Sequence, residues 1–425
     1  MVKKKVITVL VIISVCFGCH ENESQNELTN DYSRTLENLF DFFDTHAYSD
    51  SLGVYFSEID NSGNLVSEKI FLVALSRLVY GLSYTANDNN EKLVKAKRLS
   101  DFQIQNLIAT DSFGVNYSIP SIENQITDSS PVLDVWQQAY GLCGLTELYR
   151  QTSDEALLKV IHELHQGFVN RFHDPINGGF WGAYHLQGGA QSGSKTIQSL
   201  MYPITAYMAN LWEADHKNRE LYERYIEGNI KLLSKNAWNS DRGWVNAKFD
   251  DEWMVCQDQN AENGCFTVSP GHNFQLAALM LRTGRFDFLK KQDQEAYTHL
   301  GIQILRATMN QNIFVNNQIS EGFYSEVNPI SNKVLDKRKT WWQHAEAIIA
   351  FHLAGKEFAE HSKVLQAFYF STFQDYQKGG EYFFVSEQNI PDTLELKGSI
   401  GKSAYHTVEL IRFLEETEHN NHPHP

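Results

Sequence analysis

The chain has 425 residues, 42 % of them hydrophobic and 12 % aromatic, which is enough apolar material for a large buried core. Its formal net charge of −16 is spread without a long acidic block. That argues against a nucleic-acid partner, which needs a basic face.

The first element in chain order is a leader. "MVKKKVITVLVIISVCFGC" carries three early lysines, an apolar run from Val6 to Val15, and small residues before Cys19. The pattern is that of a secretory signal over 1–18, with an apolar run too short to span a bilayer. "CFGC" followed by "HENESQNE" resembles a bacterial lipoprotein lipobox, with Cys16 where leucine is usual. Cys19 is then the lipidated first residue of the mature chain, 19–27 a flexible tether, 28–417 a single domain and 418–425 a disordered tail. Plain secretion without a lipid is the alternative. Either way the protein is expected at the bacterial cell envelope, with membrane contact only through the anchor.

Twelve helical segments are expected, near 28–46, 66–84, 91–109, 131–150, 154–171, 195–214, 217–236, 270–283, 290–309, 339–354, 357–373 and 403–417. They alternate in character. "NRELYERYIEGNIKLL" sets Leu221, Tyr225, Ile226, Ile230 and Leu233 at three- and four-residue spacing among charges, the mark of an outer helix with one buried stripe. "KIFLVALSRLVYGLSY", "HNFQLAALML" and "AEAIIAFHLA" are apolar nearly all round, so they are expected inside. Between outer and inner segments a glycine leads into aromatics, at Gly53, Gly114, Gly178, Gly243, Gly322 and Gly379, spaced roughly 60 to 80 residues apart. A helical hairpin of this kind cannot bury its own apolar face, so six of them must close on one another. The expected fold is all-α, an (α/α)6 barrel with six inner helices, six outer ones and the aromatic loops at one mouth. An open α-solenoid is the rival. A deep aromatic and polar mouth suits sugar rings.

Several residues invite chemistry. His272 and His406 stand in the first turns of inner helices, where the backbone field favours a neutral imidazole. They are 134 positions apart, so only closure of the barrel brings them together. Arg77 lies in an otherwise apolar helix and must be paired or face a polar cavity. Trp342 and Glu346, four apart in "KTWWQHAEAIIAFH", share a helix face; His344 lies off that face and is expected to be structural, and Trp341 to be core. Cys256 and Cys265 bracket "CQDQNAENGC", either as a local disulfide or as two free thiols, while Cys143 reads as core. No Cys/His spacing matches a metal site.

Five stretches, taken together, resemble the N-acylglucosamine 2-epimerase superfamily, which includes cellobiose 2-epimerases and mannose-type aldose–ketose isomerases. They are "ALSRLVYGLS", "WQQAYGLCGLTELYRQT", "SPGHNFQLAALML", "KTWWQHAEAIIAF" and "GKSAYHTVELIRFL", in family order over nearly the whole mature chain. The resemblance implies an (α/α)6 barrel and proton transfer at sugar C2 without metal or other cofactor. His272 and His406 would exchange the C2 proton, Arg77 would stabilise the enediolate, Trp342 would stack on the sugar, and Glu346 would orient a hydroxyl or a histidine. Gln198, Tyr202, Gln275 and Trp181, the last in the aromatic loop from Gly178, join the substrate-binding set on a mono- or oligosaccharide. Three of these depart from the pattern. Gln198 and Tyr202, in "KTIQSLMY", stand where cellobiose epimerases carry Asn and His, and Gln275 replaces a glutamate. A glutamine cannot ionise and so cannot raise the basicity of His272. Tyr202 is a hydroxyl donor or a core aromatic. Two other readings keep the barrel: a polysaccharide lyase or glycoside hydrolase, the latter with Glu346 and Glu381 as its carboxylates, or a sugar-binding lipoprotein with a weakened site.

Overall fold

The computed structural model describes residues 18–86, 90–256, 265 and 267–420, with side chains for all but 18–31, 90 and 417–420. The expected leader apart from the Gly18 backbone, the Cys19 side chain and the last five residues lie outside the described residues.

Twelve helical regions follow the expected order. They are α1 (Gly18–His46), α2 (Leu72–Tyr84), α3 (Asn90–Asn106), α4 (Val135–Thr152), α5 (Glu155–Phe172), α6 (Ile197–Pro203) running on into α7 (Ala209–Ala214), α8 (Glu220–Leu232), α9 (Pro270–Arg282), α10 (Lys291–Met309), α11 (Trp341–Leu353), α12 (Ala359–Thr372) and α13 (Tyr405–Asn420). The backbone is already helical at 19–27, where a tether was expected, and α13 runs three residues into the expected tail. A π-helical turn, Ile204–Met208, joins α6 to α7 directly after Pro203. Proline has no N–H to give the ladder, and widening the turn lets the helix continue past it.

Three inner helices start later than expected, each for the same reason. Lys69–Phe71, Val132–Asp134 and Lys339–Thr340 are short strands, paired with Ser121–Glu123, Ala183–His185 and Phe384–Val385. In the first two, apolar residues stand on both sides of the junction, and in the third Lys339–Thr340 is too short to show a period, so periodicity alone does not mark the helix start.

The helices alternate as their patterning requires. Every residue of α2 except Tyr84 is buried, whereas α8 buries only Tyr222, Tyr225, Ile226, Asn229 and Ile230. Leu221, expected on that stripe, is 40 % exposed, and Tyr222 takes the inward place. α2 packs on α4, α4 on α6, α9 on α11, α11 on α13, and α13 back on α2. α6 and α9 meet across the central chamber that both line. Outside this ring α3 lies on α2, α5 on α4, α8 on α6 and α7, α10 on α9, α12 on α11, and α1 on α13.

Each outer helix leads into a short β-bridged loop at the same end of the ring. Three are hairpins, Tyr48–Ser49 with Val54–Tyr55, Ile108–Thr110 with Asn116–Ser118, and Trp238–Asn239 with Trp244–Val245. The others close by single bridges, His173 to Phe180, Phe314 to Phe323, and Gln374 to Glu381. All six repeat glycines sit in these turns with φ between +68° and +80°, a conformation that costs glycine nothing and other residues strain. Cys256 and Cys265 are joined by a disulfide, and Cys143 is buried as a free thiol.

Candidate active site

Two helix starts are pressed together at the mouth. Ser269 stands at the N-cap of α9 and Pro270 fills its first turn, but the Ser269 hydroxyl makes no capping bond. Contact with α11 sets the helix start instead. The Gly271 N–H donates to Gln343 Oε1 at 2.9 Å, and a Cβ at Gly271 would lie 2.5 Å from Gln343 Cγ and 2.8 Å from the Trp342 ring. Only glycine permits that approach, and it brings the His272 ring within 5.6 Å of the Trp342 ring. On the other side the His406 ring is 5.9 Å from the same indole. Ser403 does not cap α13 either; its hydroxyl donates to the Ala74 carbonyl of α2, 3.1 Å away, tying the last inner helix to the first.

Trp342 therefore stands between two imidazoles that are 134 positions apart in the chain. His406 Nδ1 lies 3.0 Å from Glu346 Oε1. A carboxylate only accepts, so Nδ1 carries the proton and Nε2 is the bare basic nitrogen. His272 has no hydrogen-bond partner on its ring among the described residues. Burial lowers its pKa to about 4, with the Glu346 charge acting in the opposite sense. Burial also lowers that of His406, aided by the charges of Arg77 and Lys402 and opposed by Glu346. Both imidazoles are neutral near pH 7, as expected, but burial rather than the helix-terminal field is the leading cause.

Arg77 makes no ion pair among the described residues. Its guanidinium lies 4.1 Å over the Tyr140 ring and 5.2 Å from the Tyr405 ring. Nη1 donates to the Gly401 carbonyl, and Nε has no partner although the residue is only 3 % exposed. Arg77, His406, Trp342, Tyr202 and Gln198 share the wall of one open cleft of about 490 Å³. Trp136, Tyr140, Trp341 and Phe383 supply its aromatic faces, and Asp134 and Gln137 are also on its wall.

Beneath the cleft lies a smaller chamber, and Tyr140 and Tyr202 line both spaces. Glu346 and Gln275 line only the lower one, with Gln275 Nε2 donating to Glu346 Oε1 at 3.0 Å. Gln198 Nε2 donates to the Tyr202 hydroxyl at 3.3 Å. Burial holds the Tyr140 and Tyr202 phenols well above the usual range, so both stay neutral donors.

Trp181 and Glu381 stand elsewhere than expected, whereas Trp341 is buried and His344 is structural, as expected. Trp181 is half-buried with the Lys195 ammonium 4.5 Å over its ring, bracing the turn near Gly178 and not among the residues of the cleft wall. Glu381 is not free to pair with Glu346. Its oxygens accept from Thr407 Oγ1 at 2.6 Å, Gln374 Nε2 at 2.8 Å, Tyr369 Oη at 3.1 Å and Lys402 Nζ at 3.5 Å. Trp341 is buried yet takes part in the cleft wall. His344 stacks on Phe323 with centroids 4.0 Å apart and spends both ring nitrogens on the backbone, at Phe323 N and Thr340 O.

Sequence reasoning missed Trp136, Tyr140 and Asp134. The signal was present, since Trp136 and Tyr140 are four apart at the start of α4, the spacing that marks Trp342 and Glu346 at the start of α11. Among the described residues no cluster of three or more His, Cys, Asp or Glu is arranged to hold a metal ion, and no helix is long and apolar enough to cross a membrane.

No curated protein matches the chain in sequence. Among solved structures it is similar to cellobiose 2-epimerase from Spirochaeta thermophila, with a TM-score of 0.80 at 15 % identity over 95 % of this chain and 100 % of that one. A sugar epimerase from a ruminal bacterium superposes with a TM-score of 0.77 at 18 % identity, covering 91 % of this chain and 98 % of that one. D-mannose isomerase gives a TM-score of 0.77 at 16 % identity, over 91 % and 97 % of the two chains. At these identities the likeness establishes the fold. Residues 190–409, which carry both histidines, Trp342 and Glu346, match the family model for N-acylglucosamine 2-epimerase (GlcNAc 2-epimerase), and the chain belongs to that family.

Proposed function

We propose that the protein is a sugar epimerase or aldose–ketose isomerase that moves the proton at C2 of a mono- or oligosaccharide. The observation that carries this reading is the convergence of two neutral imidazoles on one indole, beside a cleft that holds an arginine. Abstracting a proton next to a carbonyl calls for a base that is unprotonated near neutral pH. One imidazole takes the C2 proton of the open-chain sugar. The other returns a proton, to the opposite face of C2 for epimerisation or to C1 for isomerisation. Arg77 and the tyrosine hydroxyls at the cleft oppose the negative charge of the enediolate, and Trp342 offers a stacking face. Glu346 fixes the tautomer of His406 and compensates its charge when it is protonated.

The reading places the enzyme at the bacterial cell envelope. The lysine-led leader and the Cys19 lipobox support a lipid-anchored form, and the Cys256–Cys265 disulfide suits an oxidising compartment. Labelling with a fatty-acid analogue that is lost in Cys19→Ala tests the anchor.

Proton NMR of mono- and disaccharides incubated with the protein in deuterated water tests the chemistry. Loss of the C2 proton signal is expected with the right sugar, and its loss is abolished in His272→Ala and in His406→Ala. Full exchange in either variant removes that residue from the mechanism. New reducing ends or unsaturated products would instead support hydrolysis or elimination. Unchanged spectra with measurable binding would support a sugar-binding role, toward which Gln198, Tyr202 and Gln275 point.

A further inference from the structure

The chamber beneath the cleft contains an acceptor that the protein leaves unsatisfied. Glu346 Oε1 accepts from both His406 Nδ1 and Gln275 Nε2. Since the carboxylate cannot donate, the Gln275 amide must turn its NH2 toward it. Its carbonyl oxygen is then forced the other way. Gln275 Oε1 has no partner among the described residues, and the residue is only 9 % exposed. A buried carbonyl without a donor forfeits the bond it would make to water in the unfolded chain, so a partner is expected there.

The space around it is roomy enough for solvent and, among apolar walls, presents the polar groups of Tyr202, Thr205, Arg282, Glu346 and Glu409. Gln275 and Arg282 are seven residues apart on one face of α9, so the chamber extends roughly 10 Å along the barrel. At its far end Arg282 Nη1 lies 3.9 Å from Glu409 Oε1. The chamber leaves about 30 Å³ for the centre of a water molecule, and roughly 10–15 Å³ suffices for one water given two to four polar partners.

We propose that this chamber is an internal solvent site, in which a water donates to Gln275 Oε1 and to Glu346 and couples the His406–Glu346 pair to solvent protons. The coupling rests on the proposed function. When His406 Nε2 has taken the C2 proton, the Nδ1 proton passes to Glu346 Oε1 and on to the water, leaving a neutral imidazole. The C2-derived proton stays on Nε2 and leaves from there to water in the open cleft instead of returning to the sugar; a solvent proton that then comes back along the same path to Nδ1 restores the starting tautomer. No atom is gained or lost, and no further reactant is required. Gln275 is a positioning residue here, and the glutamine in place of a carboxylate has a consequence: it leaves an acceptor for water without adding a second negative charge beside Glu346.

Two measurements test this. A crystal structure of the full chain should show an ordered water within hydrogen-bond distance of Gln275 Oε1 and Glu346. Ala278 lines the chamber without touching the histidines, so Ala278→Leu, or Ala278→Val if the larger residue prevents folding, should expel that water. In deuterated water the variant should show about five-fold less deuterium in recovered substrate per molecule of product, in at least one direction of the reaction. A dry wild-type chamber overturns the proposal, as does a filled chamber with deuterium recovery unchanged. If no sugar loses its C2 proton with the wild-type protein, the functional reading fails instead, and the electron density alone decides the solvent site.

Discussion

Glu346 joins more of the site than any other single side chain, because one of its oxygens serves both His406 and Gln275. Glu346→Gln keeps the shape and removes the charge. The new amide cannot accept strongly from both neighbours, so His406 loses its fixed tautomer and its pKa falls further. C2 exchange is expected to drop by about 10²–10⁴-fold, the range attached to a positioned acid–base group, with the melting temperature little changed; NMR exchange rates and a thermal melt check both. His344 offers a contrasting case, with burial lowering its pKa to about 3 and that of His272 to about 4, against an ordinary 6.5. As pH falls below 6.5 the unfolded chain takes up protons that these buried rings refuse. Stability is therefore lost from pH 6.5 down to about pH 4 through His272 and about pH 3 through His344, and the loss levels off below those folded values. His344→Phe keeps the stack on Phe323 but orphans Phe323 N–H and the Thr340 carbonyl, at about 1–3 kcal/mol each. It should melt lower at pH 8 and lose less on acidification than wild type; a parallel slope would show that His344 is not part of the pH effect.

At the level of elements, two turns repeat the same ion pair. Asp174 accepts from the backbone N–H groups of Ile176 and Asn177, and from Lys195 Nζ at 2.6 Å. Asp375 accepts from those of Gln377 and Lys378, and from Lys397 Nζ at 2.7 Å. Each lysine lies in the segment before the next inner helix, so the pair fastens the turn to that helix start. Both lysines are fully buried, and removing the carboxylate would leave a charge with nowhere to go. Asp375→Ala is expected to cost about 3–5 kcal/mol, measured by urea unfolding. Lys95→Ala, which breaks the more exposed pair with Asp44 and leaves the bond from Tyr55 to that carboxylate in place, should cost about 0–1 kcal/mol. The Asp375 carboxyl is held down to about pH 2 from 3.8, with the bonds from Lys397 and Tyr382 outweighing desolvation. Its contribution is complete above pH 3.8 and is lost as pH falls toward 2. These turns were legible in outline from their glycines and aromatics. The strands before α2, α4 and α11 were not, because Ile70, Phe71, Val132 and Leu133 are as apolar as the helices they precede, and Lys339–Thr340 is too short to show a period of its own.

For the molecule as a whole, helix count, alternation of inner and outer helices and family membership could be read from the chain, since all three live in periodicity and short motifs. What escaped depends on residues far apart in sequence. Glu381 reads as a candidate catalytic carboxylate until Thr407, Gln374, Tyr369 and Lys402 converge on it, and Trp136 joins the cleft wall only once the ring is closed. Closure of the ring is a long-range event of the same kind. At the end away from the cleft, Arg412 of α13 reaches Tyr80 of α2 at 3.3 Å, Asn210 of α7 at 3.3 Å and Glu409 at 3.6 Å, and the Tyr80 hydroxyl donates to Glu409. A single guanidinium thus links the last inner helix to the first and to the middle of the ring. Arg412→Ala leaves the buried Glu409 with the Tyr80 hydroxyl and, as its cation among the described residues, the more distant Arg282, and should destabilise by about 3–5 kcal/mol. Its effect on the site is indirect, because α13 also carries His406. We expect kcat to fall while binding of a sugar at the cleft, measured by tryptophan fluorescence, stays within a few-fold. Arg412→Lys restores the charge without the forked geometry and should recover only part of the stability. If Arg412→Ala melts like wild type, the ring is closed by apolar packing of α13 on α2 alone, and the charged seam is incidental to the fold.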